Sequence, residues 1–170
     1  MSLPVRPLII SVAASFIAVA ACRQSSPAAT PPAGVLPEAY APGLGELMTF
    51  QQMRHTKLWF AGQALNWDLA AYELDELGEG FDDIVKFHPT HKDSPVAPKD
   101  AIPRMVTQPL ADLRAAVEKK DSTAFAERYD ALTGACNNCH DATNFGFNRV
   151  QRPTSNPYPN QVFSPPARKQ

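Results

Sequence analysis

The chain has almost no net charge: 16 Lys and Arg stand against 17 Asp and Glu over 170 residues. With no basic field to gather a polyanion, a nucleic-acid partner has no electrostatic support. Cysteine is scarce, and the three that occur cannot all pair as disulfides, so each needs its own explanation. No apolar run reaches the ~20 residues that a helix needs to cross a bilayer core. No alternating strand pattern, nucleophile triad, paired-carboxylate cleft or phosphate loop is legible, which leaves independent enzymatic catalysis without a basis. Proline, in contrast, is plentiful at 17 residues, so part of the chain cannot pack as regular structure. The length suits one domain once any targeting segment is set aside.

Residues 1–22 read as such a segment. Arg6 and the amino terminus supply a short positive region, and Leu8 to Ala21 is apolar or small apart from two serines. That length fits the hydrophobic region of a secretory signal. The junction Val19-Ala20-Ala21-Cys22 resembles a bacterial lipobox, in which the cysteine is lipidated and becomes the new amino terminus. The alternative is an ordinary signal peptide followed by a spare cysteine. Arg23 follows Cys22, so no aspartate argues for retention at the inner membrane. Residues 23–42 hold five prolines and few large apolar groups, and they read as an extended tether.

From Gly43 onward the apolar pattern becomes helical. Leu44, Met48, Gln51, His55, Leu58, Gly62 and Leu65 form a 4-3-4-3 ladder. Trp67, Ala70, Leu74, Leu77, Phe81 and Ile84 repeat it, with Asn66 as an N-cap and Pro89 as a stop. After a proline-rich loop from about His88 to Arg104, Val106, Leu110, Leu113 and Val117 mark a third helix with Pro109 in its first turn. Asp121 or Ser122 caps a fourth, whose inner face is Phe125, Tyr129, Leu132, Cys136 and Cys139. The expected fold is therefore an all-α, antiparallel four-helix bundle over 43–144. Residues 145–170, with Phe145, Phe147, Tyr158, Phe163 and prolines from Pro153 to Pro166, are expected to form an irregular strap with anchored aromatics.

Cys136-Asn-Asn-Cys139-His140 carries the chemistry. Two thiols three residues apart on one helical face can each add to a vinyl group of one porphyrin, and the adjacent imidazole can then reach the iron. A structural zinc site would need a second ligand pair, and a thioredoxin-like thiol pair would sit between a strand and a helix. The motif therefore points to one covalent haem c, held by Cys136 and Cys139 with His140 as proximal iron ligand.

A helical bundle with a single Cys-x-x-Cys-His late in its last helix resembles the class II c-type cytochromes, the cytochrome c′ group. The resemblance covers roughly Gly43 to Asn144, and the proline-rich tail departs from it. Through Arg54-His55-Thr56-Lys57-Leu58 it implies that Arg54 lies by a haem propionate and Leu58 over the iron's open side, leaving the haem five-coordinate. It leaves a homodimer open.

His55 shares the inner stripe with Leu58, and a neutral imidazole is a good iron ligand, so His55 stands as a rival sixth ligand beside Met48 and Met53. His88 and His91, in a His-Pro-Thr-His run, read as solvated loop residues. Glu73, Asp75, Glu76, Glu79, Asp82 and Asp83 give the second helix an acidic face that could orient a basic redox partner, or simply be its solvated exterior.

The expected protein is thus a periplasmic, lipid-anchored electron carrier and not an enzyme. The alternatives are a five-coordinate haem protein for a diatomic gas, or a haem-bearing accessory subunit of a redox complex. Lipid anchoring is tested by Cys22→Ala, which should move the protein from the membrane fraction to the soluble one; an unmodified mature terminus at any other residue would contradict it.

Overall fold

A computed structural model describes residues 40–167. The expected leader with Cys22 and the expected tether up to residue 39 lie outside the described residues, as do 168–170. The described part is all-α, with five helices and no strand among the described residues: α1 (Leu44–Gln63), α2 (Trp67–Phe87), α3 (Pro98–Met105), α4 (Thr107–Glu118) and α5 (Ser122–Ala142). None of these helices is long and apolar enough to cross a membrane.

The ladders bury most of the stripes they predict, the exception being Leu65, which lies past the end of α1 and is exposed. Leu58, Leu74, Ile84, Leu113, Phe125, Tyr129 and Leu132 are all close to fully buried and merge into one core. Asn66 caps α2 by accepting from the Leu69 N–H, and Asp121 caps α5 by accepting from Thr123 and Ala124 N–H. Packing is closest between α1 and α2 and between α4 and α5. α3 touches α2, α4 and α5, and α1 also meets α5.

The helix in the expected loop is a correction. Pro98, within the expected proline-rich loop, occupies the first turn of α3, where its missing N–H costs nothing. Ala101 and Ile102 are buried, and Val106 joins α3 to α4 almost without a break. At eight residues, with Pro103 inside, α3 is too short to show a period of its own.

Three helix ends share one solution. Leu65, Lys120 and Asn144 adopt left-handed backbone after α1, α4 and α5. In each case nested bonds close the turn, as in Leu65 N–H to the Gly62 carbonyl and Asn66 N–H to the Ala61 carbonyl. The last of these turns sends the chain back past the end of α5, with the Phe145 N–H bonded to the His140 carbonyl at 2.7 Å.

The returning tail is a strap, as expected. Arg152 lies 4.3 Å over the Trp59 ring and pairs with Asp130, while Phe163 packs on Phe60 at 5.6 Å and its carbonyl accepts from Asn66 Nδ2 at 3.0 Å. Phe147 departs from the expectation: it is 83% exposed rather than anchored.

Gly62 sets how closely α1 approaches α5, because a Cβ there would overlap the Phe125 ring. Phe125 is 1% exposed and has nowhere to swing. Gly62→Ala should therefore destabilise the full chain by about 1–3 kcal/mol in chemical denaturation, while Gly43→Ala, with open space around it, should not.

Candidate functional site

Two adjoining hollows of about 150 and 290 Å³, open to solvent, share a wall formed by Gly45, Met48, Ile102, Cys139, His140 and Asn148. The first hollow extends over Gln51, His55, Leu77, Phe81, Leu132 and Cys136; the second runs under His91, Thr143, Phe145 and Phe147. The amino-terminal half of α1 thus faces the carboxy-terminal turns of α5 across a largely apolar gap.

All three residues of the Cys-x-x-Cys-His motif meet at this cleft. The two thiols are free, with Cys139 buried and Cys136 partly so. Burial pushes the Cys136 thiol up to about 12 and raises that of Cys139 as well. Such protonated thiols are the reverse of the low-pKa thiolates used in disulfide exchange, which weighs against a thioredoxin-like role. His140 Nδ1 lies 2.6 Å from the Asn148 carbonyl oxygen. A carbonyl only accepts, so Nδ1 is the donor, and in the neutral imidazole this leaves the lone pair on Nε2, the tautomer an iron ligand requires. An apolar gap walled by two thiols and an imidazole so held fits a covalent haem.

His55 is differently committed. Thr133 Oγ1 donates to the Tyr129 carbonyl at 2.9 Å and lies 2.8 Å from His55 Nε2. The Tyr129 hydroxyl donates to the His55 carbonyl at 2.9 Å and lies 2.9 Å from His55 Nδ1. Burial drops the imidazole to about 4 and carries the Tyr129 phenol above its ordinary value. His55 lines the cleft as a neutral ring with a side-chain oxygen within hydrogen-bond distance of each nitrogen.

The other expected residues lie elsewhere. Arg54 does not line the cleft: Gly80, with no side chain, lets it reach across to α2, where it donates to the Glu76 carbonyl at 2.7 Å and pairs with the Glu76 carboxylate at 2.8 Å. Leu58 is fully buried in the core and is absent from the cleft wall, as is Met53. Met48, about two turns earlier on α1 than His55, borders both hollows together with His140. His88 bonds the Pro42 carbonyl at 2.8 Å, whereas His91 stacks edge-on against Phe145 and reaches the second hollow.

The acidic face of α2 is thinner than its sequence suggests. Glu73 is 3% exposed, with its carboxyl raised by burial, and Asp75 and Glu76 pair with Arg114 and Arg54.

Sequence reading alone missed Asn137, Asn148 and Val150. Asn137 Nδ2 donates to the Val150 carbonyl and Asn137 Oδ1 accepts from the Val150 N–H, both at 2.8 Å. Neither position carries a periodic or motif signal, since the partner lies on an irregular segment. Compared with protein-family models, curated proteins and solved structures, the chain matches none. The functional reading therefore rests on its own residues.

The His55 network has a pH signature. A histidine whose folded pKa is depressed leaves the unfolded chain binding more protons between the two values, so stability is full above about 6.5 and falls as pH drops toward about 4. The loss should approach ~3 kcal/mol, since each pKa unit is worth ~1.4 kcal/mol. His55→Gln should flatten that part of the stability-against-pH curve relative to wild type. Parallel curves would contradict the assignment.

Proposed function

We propose that the chain is an exported mono-haem c-type cytochrome that carries single electrons, with α1, α2, α4 and α5 as an antiparallel four-helix bundle around one covalent haem. Cys136 and Cys139 would tether the ring as thioethers, and His140 would hold the iron through Nε2. Bound there, haem iron supplies a one-electron couple. The observation that carries this reading is the convergence of both thiols and a correctly protonated imidazole on one apolar cleft.

Met48 is the residue we propose as a second holder of the iron. It borders both hollows with His140, whereas His55 has a side-chain oxygen within hydrogen-bond distance of each nitrogen and Leu58 lies in the core. His140 and Met48 would together hold the iron, and a filled coordination sphere suits fast electron transfer and a raised reduction potential. Gas binding at a leucine-capped iron loses its support with the position of Leu58. The accessory-subunit reading called for a tail standing away from the helices, and this tail folds back as far as Phe163.

The apolar residues Leu77, Phe81, Ile102 and Val106 would exclude water from the ring, and the lining of Thr49, Gln51 and Gln52 offers polar groups near the mouth. Anchoring through Cys22 would keep the carrier at a membrane surface in the periplasm, where a redox partner can meet the exposed Phe147 edge of the cleft.

Absorption spectra of the haem-loaded protein test the ligand set. The wild type should be low-spin in both oxidation states. Met48→Ala should become high-spin and bind carbon monoxide when reduced, while His55→Ala should stay low-spin. Conversion by His55→Ala instead would make His55 the ligand, and a high-spin wild type would restore the gas-binding reading.

A further inference from the structure

We propose that Asn137, inside the Cys-x-x-Cys-His motif, is a positioning residue that clasps the returning strap so that the Asn148 carbonyl fixes the tautomer of His140. After the left-handed turn at Asn144, the chain doubles back beside α5 with no helix or strand to pair its backbone. Unpaired backbone groups in such a segment must find partners or slide. The Asn137 carboxamide takes both groups of Val150, donating to its carbonyl and accepting from its N–H at 2.8 Å each. This double contact copies one rung of a β-ladder and defines which end of the amide is oxygen.

The register follows from the two spacings. Asn137 and His140 are three apart on α5 and share a face. Val150 and Asn148 are two apart on the returning segment, just past the turn that follows α5. With Val150 locked to Asn137, the Asn148 carbonyl arrives 2.6 Å from His140 Nδ1. The Asn148 N–H closes a turn on the Phe145 carbonyl at 2.8 Å, which holds that peptide from its other end. The pairs Arg149–Asp141 and Arg152–Asp130 also staple the strap, but they are solvent-exposed and contribute little to register.

Only an amide of this length satisfies both Val150 groups. Aspartate keeps the acceptor and loses the donor, and alanine loses both. Asn138, its neighbour in the motif, is exposed and serves as the control. The effect on the tautomer stands on the protein's own geometry; the effect on an iron ligand rests on the function proposed above.

The test is nitrogen-15 NMR of the histidines in the full chain, prepared with its haem reduced. His140 should show a slowly exchanging Nδ1–H in wild type and in Asn138→Ala. In Asn137→Ala that proton should exchange with solvent about tenfold faster, the equivalent of one hydrogen bond's net worth. In the same variant the reduction potential should rise, because an imidazole without its carbonyl partner is a poorer donor to ferric iron. Asn137→Asp should fall between the two, and it decides the matter if the alanine variant does not fold. A protonated Nε2 in wild type, an unchanged His140 in both Asn137 variants, or an equal effect from Asn138→Ala would overturn the proposal. If the chain carries no haem, the Nδ1–H signal beside an unprotonated Nε2 still reads the tautomer, so failure of the haem reading is seen separately.

Discussion

The hydrogen bond from His140 Nδ1–H to the Asn148 carbonyl is the contact on which the cleft depends. Without it the imidazole at the end of α5 could place its proton on either nitrogen and turn either edge to the gap. With it, one lone pair is committed to the space between α5 and α1. The carbonyl can be there only because α5 ends in a left-handed turn that reverses the chain, and because Asn137 holds that chain in register. Fold and site are therefore linked through a segment that has no regular structure.

The polar interior of α1 and α5 solves a related problem in the opposite sense. His55, Tyr129 and Thr133 are buried together, and every donor among them has an acceptor within the group or on the backbone. A closed network of this kind costs little to bury and fixes the rotation of α1 against α5. That rotation turns Met48 toward the cleft while His55 is spent on protein partners. The same α1 surface sends Arg54 away to Glu76 on α2. One helix thus carries a candidate iron ligand and a hydrogen-bonded histidine on the same stripe, and only their partners tell them apart.

The long helices were legible because each buries a continuous stripe, and burial at 3.6 residues per turn writes itself into the order of apolar residues. The motif was legible because its chemistry is local. What could not be read depends on contacts between distant positions. α3 offers too few turns to show a period, and Pro98 reads as part of a proline-rich loop until its place in the first turn is known. Glu73 looks like one more acid on a wet face, although α2 turns it inward. The roles implied for Arg54 and Leu58 followed from resemblance to the class II cytochromes, whereas the structure places Arg54 in an ion pair with Glu76 and Leu58 in the core. Asn137 has no sequence signal at all, since its partner is an unpatterned residue 13 positions later.

An electron carrier needs a redox group held rigidly, screened from water and open at one edge. In the function proposed for this chain, the apolar wall would supply the screen, the strap would supply rigidity, and the exposed Phe147 would mark the rim. All of it presupposes that the two thiols are joined to the haem. The most direct test is the intact mass of the denatured protein from cells equipped for c-type cytochrome maturation. The account predicts a mass above the processed polypeptide by one haem, lost when Cys136 and Cys139 are both replaced by alanine. A wild-type chain that sheds all its haem on denaturation, with both cysteines recovered as free thiols, would contradict it.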